Sequence, residues 1–190
     1  MVVESWLPKL RPQLQSLCNA WLVPLGVPVG WIQVESGGRL DEVTTLKERG
    51  YFQLMPSESA DLGLQHERLT TDSMYSLSAG FKLINYYSRA IGRVCRIGGI
   101  EYVRPGTEYH WRLVKLGHSM GLGATQRILL DAAKEHATIS WDVLKAYALQ
   151  NDAALTQKTK HSPAKWFPFI DRMFAIGQPY GLDSAPPATV

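Results

Sequence analysis

The stretch that decides the reading of this chain is residues 34–64, VESGGRLDEVTTLKERGYFQLMPSESADLGL. It opens at the end of a short apolar segment carrying Val27, Val29, Trp31, Ile32 and Val34, and sets Glu35 directly ahead of Ser36 and the paired glycines Gly37 and Gly38. Paired glycines stop a helix, so the spacing predicts a short apolar helix opened by Pro28 and ending at Glu35. Apolar walls disfavour the ionised form of a carboxyl group, which suits a general acid. A single Glu at a helix end is more often a solvated carboxylate, so the residues downstream of Glu35 decide between the two. Residues 39–50 are polar and read as a loop or small hairpin. Gly50-Tyr51-Phe52-Gln53-Leu54-Met55-Pro56 comes next, and a short helix then begins at Pro56-Ser57, with Ser57 as the expected N-cap, closing at Leu62-Gly63.

Working outward, helical periodicity recurs and strand signals are nearly absent. Leu7, Leu10, Leu14, Leu17 and Trp21 form the stripe of an amphipathic helix. A long helix is expected from an N-cap at Asp72 to about Ile91, with Leu77, Phe81, Ile84 and Tyr87 or Ser88 on one face. Residues 98–106 read as an irregular excursion. A helix over 111–116 is expected to stop at the glycine-rich GHSMGLG of residues 117–123, followed by helices over about 124–136, from a Ser140 cap to about Gln150, and from Pro163 to near Gly177. There is no internal repeat. The fold class is mainly α with at most one small β-hairpin. One compact domain is expected over residues 1–182, and the Pro-rich DSAPPATV of residues 183–190 is expected to be a disordered tail or the start of a linker.

Composition narrows the function classes. The 190 residues are 45% hydrophobic, enough for a core, and a net charge of +3 with 19% charged residues excludes a charge-driven disordered chain. Lys and Arg are spread along the chain without a dense run, so no clustered nucleic-acid footprint is expected. The mild positive bias would suit a polyanionic partner such as an envelope polymer. Cys18 and Cys95 are too few for a disulfide framework or a zinc ligand set and read as two free thiols packed as small hydrophobes. Residues 21–34 are the most apolar stretch, but Pro24, Gly26, Pro28 and Gly30 interrupt them, and they are too short to span a bilayer. The N-terminus MVVESWLPKL has Glu4 and no basic n-region, so no signal peptide is visible.

The ordered set Glu35-Ser36, Gly50-Tyr51-Phe52-Gln53-Leu54-Met55-Pro56 and Leu62-Gly63-Leu64 resembles the lytic transglycosylases (SLT domain) of the goose-type lysozyme-like superfamily. Their signature is Glu-Ser, a short polar hairpin, a Gly-led segment ending in Gln-Leu-Met-Pro, and a capped helix running to Leu-Gly-Leu. Residues 77–91, with Ala79-Gly80, look like the family's long helix. The family's Ala-Tyr-Asn-Ala-Gly-Pro-Gly stretch has its best counterpart in residues 117–123, where His118 stands for the Tyr and Ser119 for the Asn. That segment comes later than usual, which suggests an insertion around residues 98–109. A second counterpart, Ala146-Tyr147, keeps the Tyr without the glycines.

The resemblance implies a lysozyme-like fold and cleavage of the β-1,4 bond between N-acetylmuramic acid and N-acetylglucosamine in peptidoglycan. Glu35 would protonate the glycosidic oxygen, the substrate's 2-acetamido group would stabilise the charge at C1, and Glu35 would then deprotonate the muramoyl C6 hydroxyl to close a 1,6-anhydro ring. Ser36, Gln53, Met55 and His118 would contact substrate, and neither a metal nor an organic cofactor is required. The partner would be the glycan strand, met at the cell wall by a monomer with no membrane span and no nucleic-acid role. With no signal peptide visible, a phage-encoded protein, a machine-delivered one and an excised domain all fit. Hydrolysis is the alternative chemistry, with Asp41, Glu42 or Glu48 as the second carboxylate an inverting enzyme needs, although Glu48 beside Arg49 reads more simply as a surface ion pair. A wall-binding component of a phage tail or secretion machine is the third reading.

Overall fold

The computed structural model describes residues 5–100 and 103–183, so the tail expected at 183–190 lies, from 184 onward, outside the described residues. Pro8 in the first turn and buried Leu7, Leu10 and Leu14 set up α1 (Leu7–Trp21). The stripe continues through Cys18 and not, as expected, through Leu17, because at 100° per residue Leu17 falls about 80° to the side of Leu7. Trp21, in the last turn, is exposed. The described residues divide into two compact units, 5–85 with 172–183 and 86–171.

At the centre of the first unit is α2 (Gly26–Glu35), buried from Gly26 to Gln33. A helix apolar on all sides belongs inside a core, and this one ends at Glu35 as its glycines require. Around it are α1, α3 (Pro56–Asp61), a 3-10 turn at His66–Thr70, the first half of α4 (Ser73–Ile97) and the last turn of α9 (Pro163–Gly177). The expected long helix is present and runs six residues beyond Ile91, with Asp72 Oδ1 accepting from the Tyr75 N–H at 2.9 Å. The α3 cap differs from expectation: Met55 is the N-cap and Pro56 the first helical residue, and the Glu58 carboxylate accepts from the Met55 N–H at 2.9 Å. The missing N–H of proline costs nothing at that position, which favours Pro56 over Ser57 as the start. Residues 39–54 form the small hairpin, whose only ladder among the described residues is the two isolated bridges Val43 to Arg49 and Arg49 to Leu54. Its tip is anchored by His66, whose Nε2 donates to the Lys47 carbonyl while Nδ1 accepts from Ser59, both at 2.8 Å.

Phe52 joins these pieces. Its ring makes edge contacts with Trp31 at 6.0 Å and Phe81 at 6.3 Å and lies flat against α4 at Gly80, where a Cβ would stand 2.0 Å from a ring carbon.

The second unit holds the rest of α4, then α5 (Glu108–Met120), α6 (Leu122–Glu135), α7 (Trp141–Gln150), α8 (Asp152–Thr159) and most of α9. Residues 117–123 are not the loop expected from their glycines. The helix α5 continues through Gly117, His118, Ser119 and Met120 and breaks only at Gly121, at φ +82°. Thr107 caps it, three residues or more before the expected start. The Ser140 cap on α7 is as expected, with its Oγ accepting from the Val143 N–H at 3.2 Å. α8 has no apolar stripe to betray it, since Leu155 is its single buried residue. Asp171 ties three helices together, accepting from Arg112 Nη1 at 2.6 Å, Trp141 Nε1 at 2.7 Å and Lys145 Nζ at 2.5 Å. The two cysteines are free and buried, and burial pushes the Cys18 thiol up to about 12 and the Cys95 thiol to about 11. Among the described residues no helix is long and apolar enough to cross a membrane.

Candidate active site

Glu35 is the last residue of α2 and is half-buried at the edge of the first unit's core. The chain leaves the helix through Ser36, whose backbone N–H returns to the Ile32 carbonyl at 3.0 Å. The Ser36 hydroxyl donates to the carbonyls of Ile32 at 3.2 Å and Tyr51 at 2.9 Å, and accepts from the Gly38 N–H at 3.3 Å. Ser36 is therefore buried and committed to backbone. It fastens the helix end that carries Glu35 to the loop that carries Tyr51, Phe52 and Gln53, and does not stand open to a sugar as the resemblance implies.

The loop is fixed from its far side as well. Gly50 takes φ +74° beside Leu69 and Ser76, the Tyr51 N–H donates to Ser76 Oγ at 3.1 Å, and the Tyr51 hydroxyl shares a 3.1 Å hydrogen bond with Ser73. Neither serine is marked by sequence as part of a site. Their spacing, one turn of α4 before Leu77 and Gly80, is the signal that was present. Gln53 takes the left-handed φ of +54°, a conformation that costs a non-glycine residue about 1 kcal/mol or more. Its amide is spent holding that geometry, with Nε2 donating to the carbonyls of Gly50 at 2.8 Å and Glu42 at 3.1 Å. Gln53 thus ties the hairpin to the loop from a buried position, and its Oε1 is buried without a hydrogen-bond partner among the described residues. Met55 is half-buried at the start of α3.

The second-carboxylate candidates lie along the hairpin. Glu42 pairs with Arg39, and Asp41 is exposed. The expected Glu48–Arg49 pair does not form: Glu48 accepts from the Thr44 hydroxyl at 2.7 Å, and Arg49 reaches across to Glu67 at 2.5 Å. Adjacent residues in a bridged strand point to opposite faces, which separates the two side chains.

Glu35, Ser36, Gln53 and Met55 thus gather in the first unit, while His118 belongs to the second. There the His118 ring, half-buried in the last turn of α5, packs edge-on against Tyr87 at 5.6 Å, and its Nδ1 lies 3.0 Å from the ammonium of the wholly buried Lys115. Ser119 Oγ is buried with no hydrogen-bond partner among the described residues. Tyr147, the alternative counterpart, is buried in α7 against His136 at 6.4 Å between ring centres. Among the described residues no three His, Cys, Asp or Glu side chains are close enough to hold a metal ion together.

No known protein family's sequence model matches the chain, and no curated protein matches it significantly.

Proposed function

We propose that the chain is a peptidoglycan lytic transglycosylase of lysozyme-like fold, with Glu35 as its acid and then its base. The observation that carries this reading is the clasp between the end of α2 and the 50–55 loop. It holds one half-buried carboxyl group, at a helix end, beside a loop pinned by Ser36, Ser76 and Ser73 and strained at Gln53. Backbone strain that the surroundings over-determine is concentrated at sites where geometry matters. A reaction in which one carboxyl group first donates and then removes a proton needs that group fixed within hydrogen-bond reach of two oxygens in succession.

In this mechanism Glu35 protonates the leaving O4 of the glycosidic bond. The neighbouring acetamido oxygen of the substrate shields the positive charge at C1, and no second carboxylate is needed. Ionised Glu35 then takes the proton of the C6 hydroxyl as its oxygen bonds to C1, which returns Glu35 to its starting state. Met55 offers an apolar, deformable wall to the sugar. Ser36 and Gln53 act on the substrate indirectly, by holding the loop.

Digestion of purified peptidoglycan, with mass spectrometry of the released muropeptides, tests this. The wild type should release products one water lighter than hydrated muropeptides, and Glu35→Gln should lower that release at least about 100-fold. Hydrated reducing ends would replace the proposal with hydrolysis. Retained binding with no product would replace it with a wall-binding role.

A further inference from the structure

The helix α4 carries four Lys or Arg residues between Ser73 and Ile97 and no Asp or Glu. In the second unit three of these, Arg89, Arg93 and Arg96, recur at four- and three-residue steps. At 1.5 Å and 100° per residue they form a line about 10 Å long within about 60° of one helix face. All three are exposed, and none makes an ion pair among the described residues. The contrast within the unit is sharp: Arg112 and Lys145 are engaged by Asp171, and Lys134 by Asp131. Residues 86–171 hold twelve Lys or Arg against seven Asp or Glu, so the unit has no surplus acid to neutralise the row. Helical spacing here gathers cations that look scattered in sequence.

At its end the row meets a cleft of about 330 Å³, lined by Gly92, Cys95, Arg96, Gly99 and His110 among others, with Arg96 as its charged lining residue among the described residues. Tyr86, 39% exposed, lies one turn before Arg89 on the same face.

We propose that this face of α4 binds the phosphate groups of a phosphodiester-bearing wall polymer, an anionic chain carried by the same glycan that the first unit would cleave. The choice of a wall polymer rests on the transglycosylase reading, whereas the cationic row does not. One guanidinium per helix turn presents a charge about every 5 Å, suited to the successive charges of an extended polyphosphate ester. Like charges three and four apart repel one another on a bare helix, and a bound polyanion relieves that repulsion. A membrane surface is disfavoured, since an interfacial helix needs a broad apolar face, and the large apolar side chains that α4 exposes, Met74, Tyr86 and Ile97, are spread along its whole length. Single-stranded nucleic acid is disfavoured too, because one aromatic makes a poor stacking platform.

The test is co-sedimentation of the full chain with sacculi that retain or have been stripped of phosphodiester polymer. Wild type should bind polymer-bearing sacculi about tenfold more tightly, with affinity falling as salt rises. R89A/R93A/R96A should lose that tenfold while unfolding at no lower denaturant concentration than wild type, since like-charge repulsion on the helix is removed. K158A/K160A/K165A, which removes the same charge elsewhere on the unit, should keep it. Equal binding to stripped sacculi, full retention by the arginine variant, or equal loss by the lysine variant would overturn the proposal. So would equal affinity for anionic vesicles or for single-stranded DNA of matched charge. Absence of anhydro products from wild type would sink the catalytic reading while leaving the binding result standing.

Discussion

The Ser36 hydroxyl donates to the Tyr51 carbonyl at 2.9 Å, closing a loop of fifteen residues with one buried hydrogen bond. Because Ser36 comes directly after Glu35, that bond sets where the carboxyl group stands relative to the 50–55 loop. The same loop is held to α4 through Ser76. The acid is thus referenced to two helices, α2 by its own backbone and α4 through Tyr51.

Replacing Ser36 with Ala leaves the Tyr51 carbonyl buried without that donor, at an expected cost of about 1–3 kcal/mol in unfolding free energy. If the clasp positions Glu35, S36A should also lower kcat for muropeptide release with KM little changed, while Ser36→Thr, which restores the hydroxyl, should recover part of it. Steady-state kinetics beside denaturant unfolding decide the matter. Loss of stability with full kcat would make Ser36 a purely structural tie.

Gly80 and Gly92 lie on one helix and should respond oppositely to the same substitution. At Gly80 an added Cβ would meet the Phe52 ring at 2.0 Å, and the ring is hemmed in by Trp31 and Phe81, so G80A should destabilise by about 1–3 kcal/mol. Nothing lies within 4 Å of a Cβ at Gly92, so G92A should gain up to about 1 kcal/mol from helix propensity alone. Urea midpoints of the two variants check both signs.

How much a sequence reveals depends on the kind of signal each residue gives. Glu35 at the end of α2 is legible because Gly37 and Gly38 act locally, and the α4 face is legible because Leu77, Phe81 and Ile84 repeat with the helix period. The α5 boundary is not legible. Gly117 reads as a stop, yet tertiary packing against Tyr87, Ile91 and Leu122 outweighs its weak helix propensity, and only the positive φ at Gly121 ends the helix. α8 escapes notice because one buried leucine makes no period. The roles of Ser36 and Gln53 as ties are hidden for a different reason: their partners are backbone carbonyls, and sequence identity does not reveal which carbonyls a fold brings near.

Asp171 is held by opposing effects. Partial burial favours its protonated form, but hydrogen bonds from Lys145 and Trp141 and the charges of Lys145 and Arg112 outweigh it, leaving the carboxyl below its ordinary 3.8. A depressed carboxylate stabilises the fold above its unfolded value and loses that contribution as pH falls through the folded one. Asp171→Asn should therefore cost about 1–2 kcal/mol at pH 7, discounted for the part of the side chain that faces water, and the difference from wild type should vanish well below pH 3.8. A gap that persists at acid pH would assign the effect to lost packing.

His110 acts in a separate window. It is almost fully buried, with Nε2 sharing a 2.8 Å hydrogen bond with Ser88, and burial pushes the imidazole down from its ordinary 6.5 to about 4. The fold therefore holds the neutral ring, and its contribution is complete above about pH 6.5 and drains as pH falls toward 4. The shift corresponds to at most about 3 kcal/mol, at a slope of about 1.4 kcal/mol per pH unit once the unfolded state is protonated. Unfolding free energies measured from pH 7 to 4.5 should show that slope in wild type and lose it in His110→Gln, which keeps a hydrogen-bonding amide but no titrating group. Because Asp171 responds only below its ordinary 3.8, the two groups do not overlap in this range. An unchanged slope in H110Q would mean that the acid sensitivity of the fold arises elsewhere.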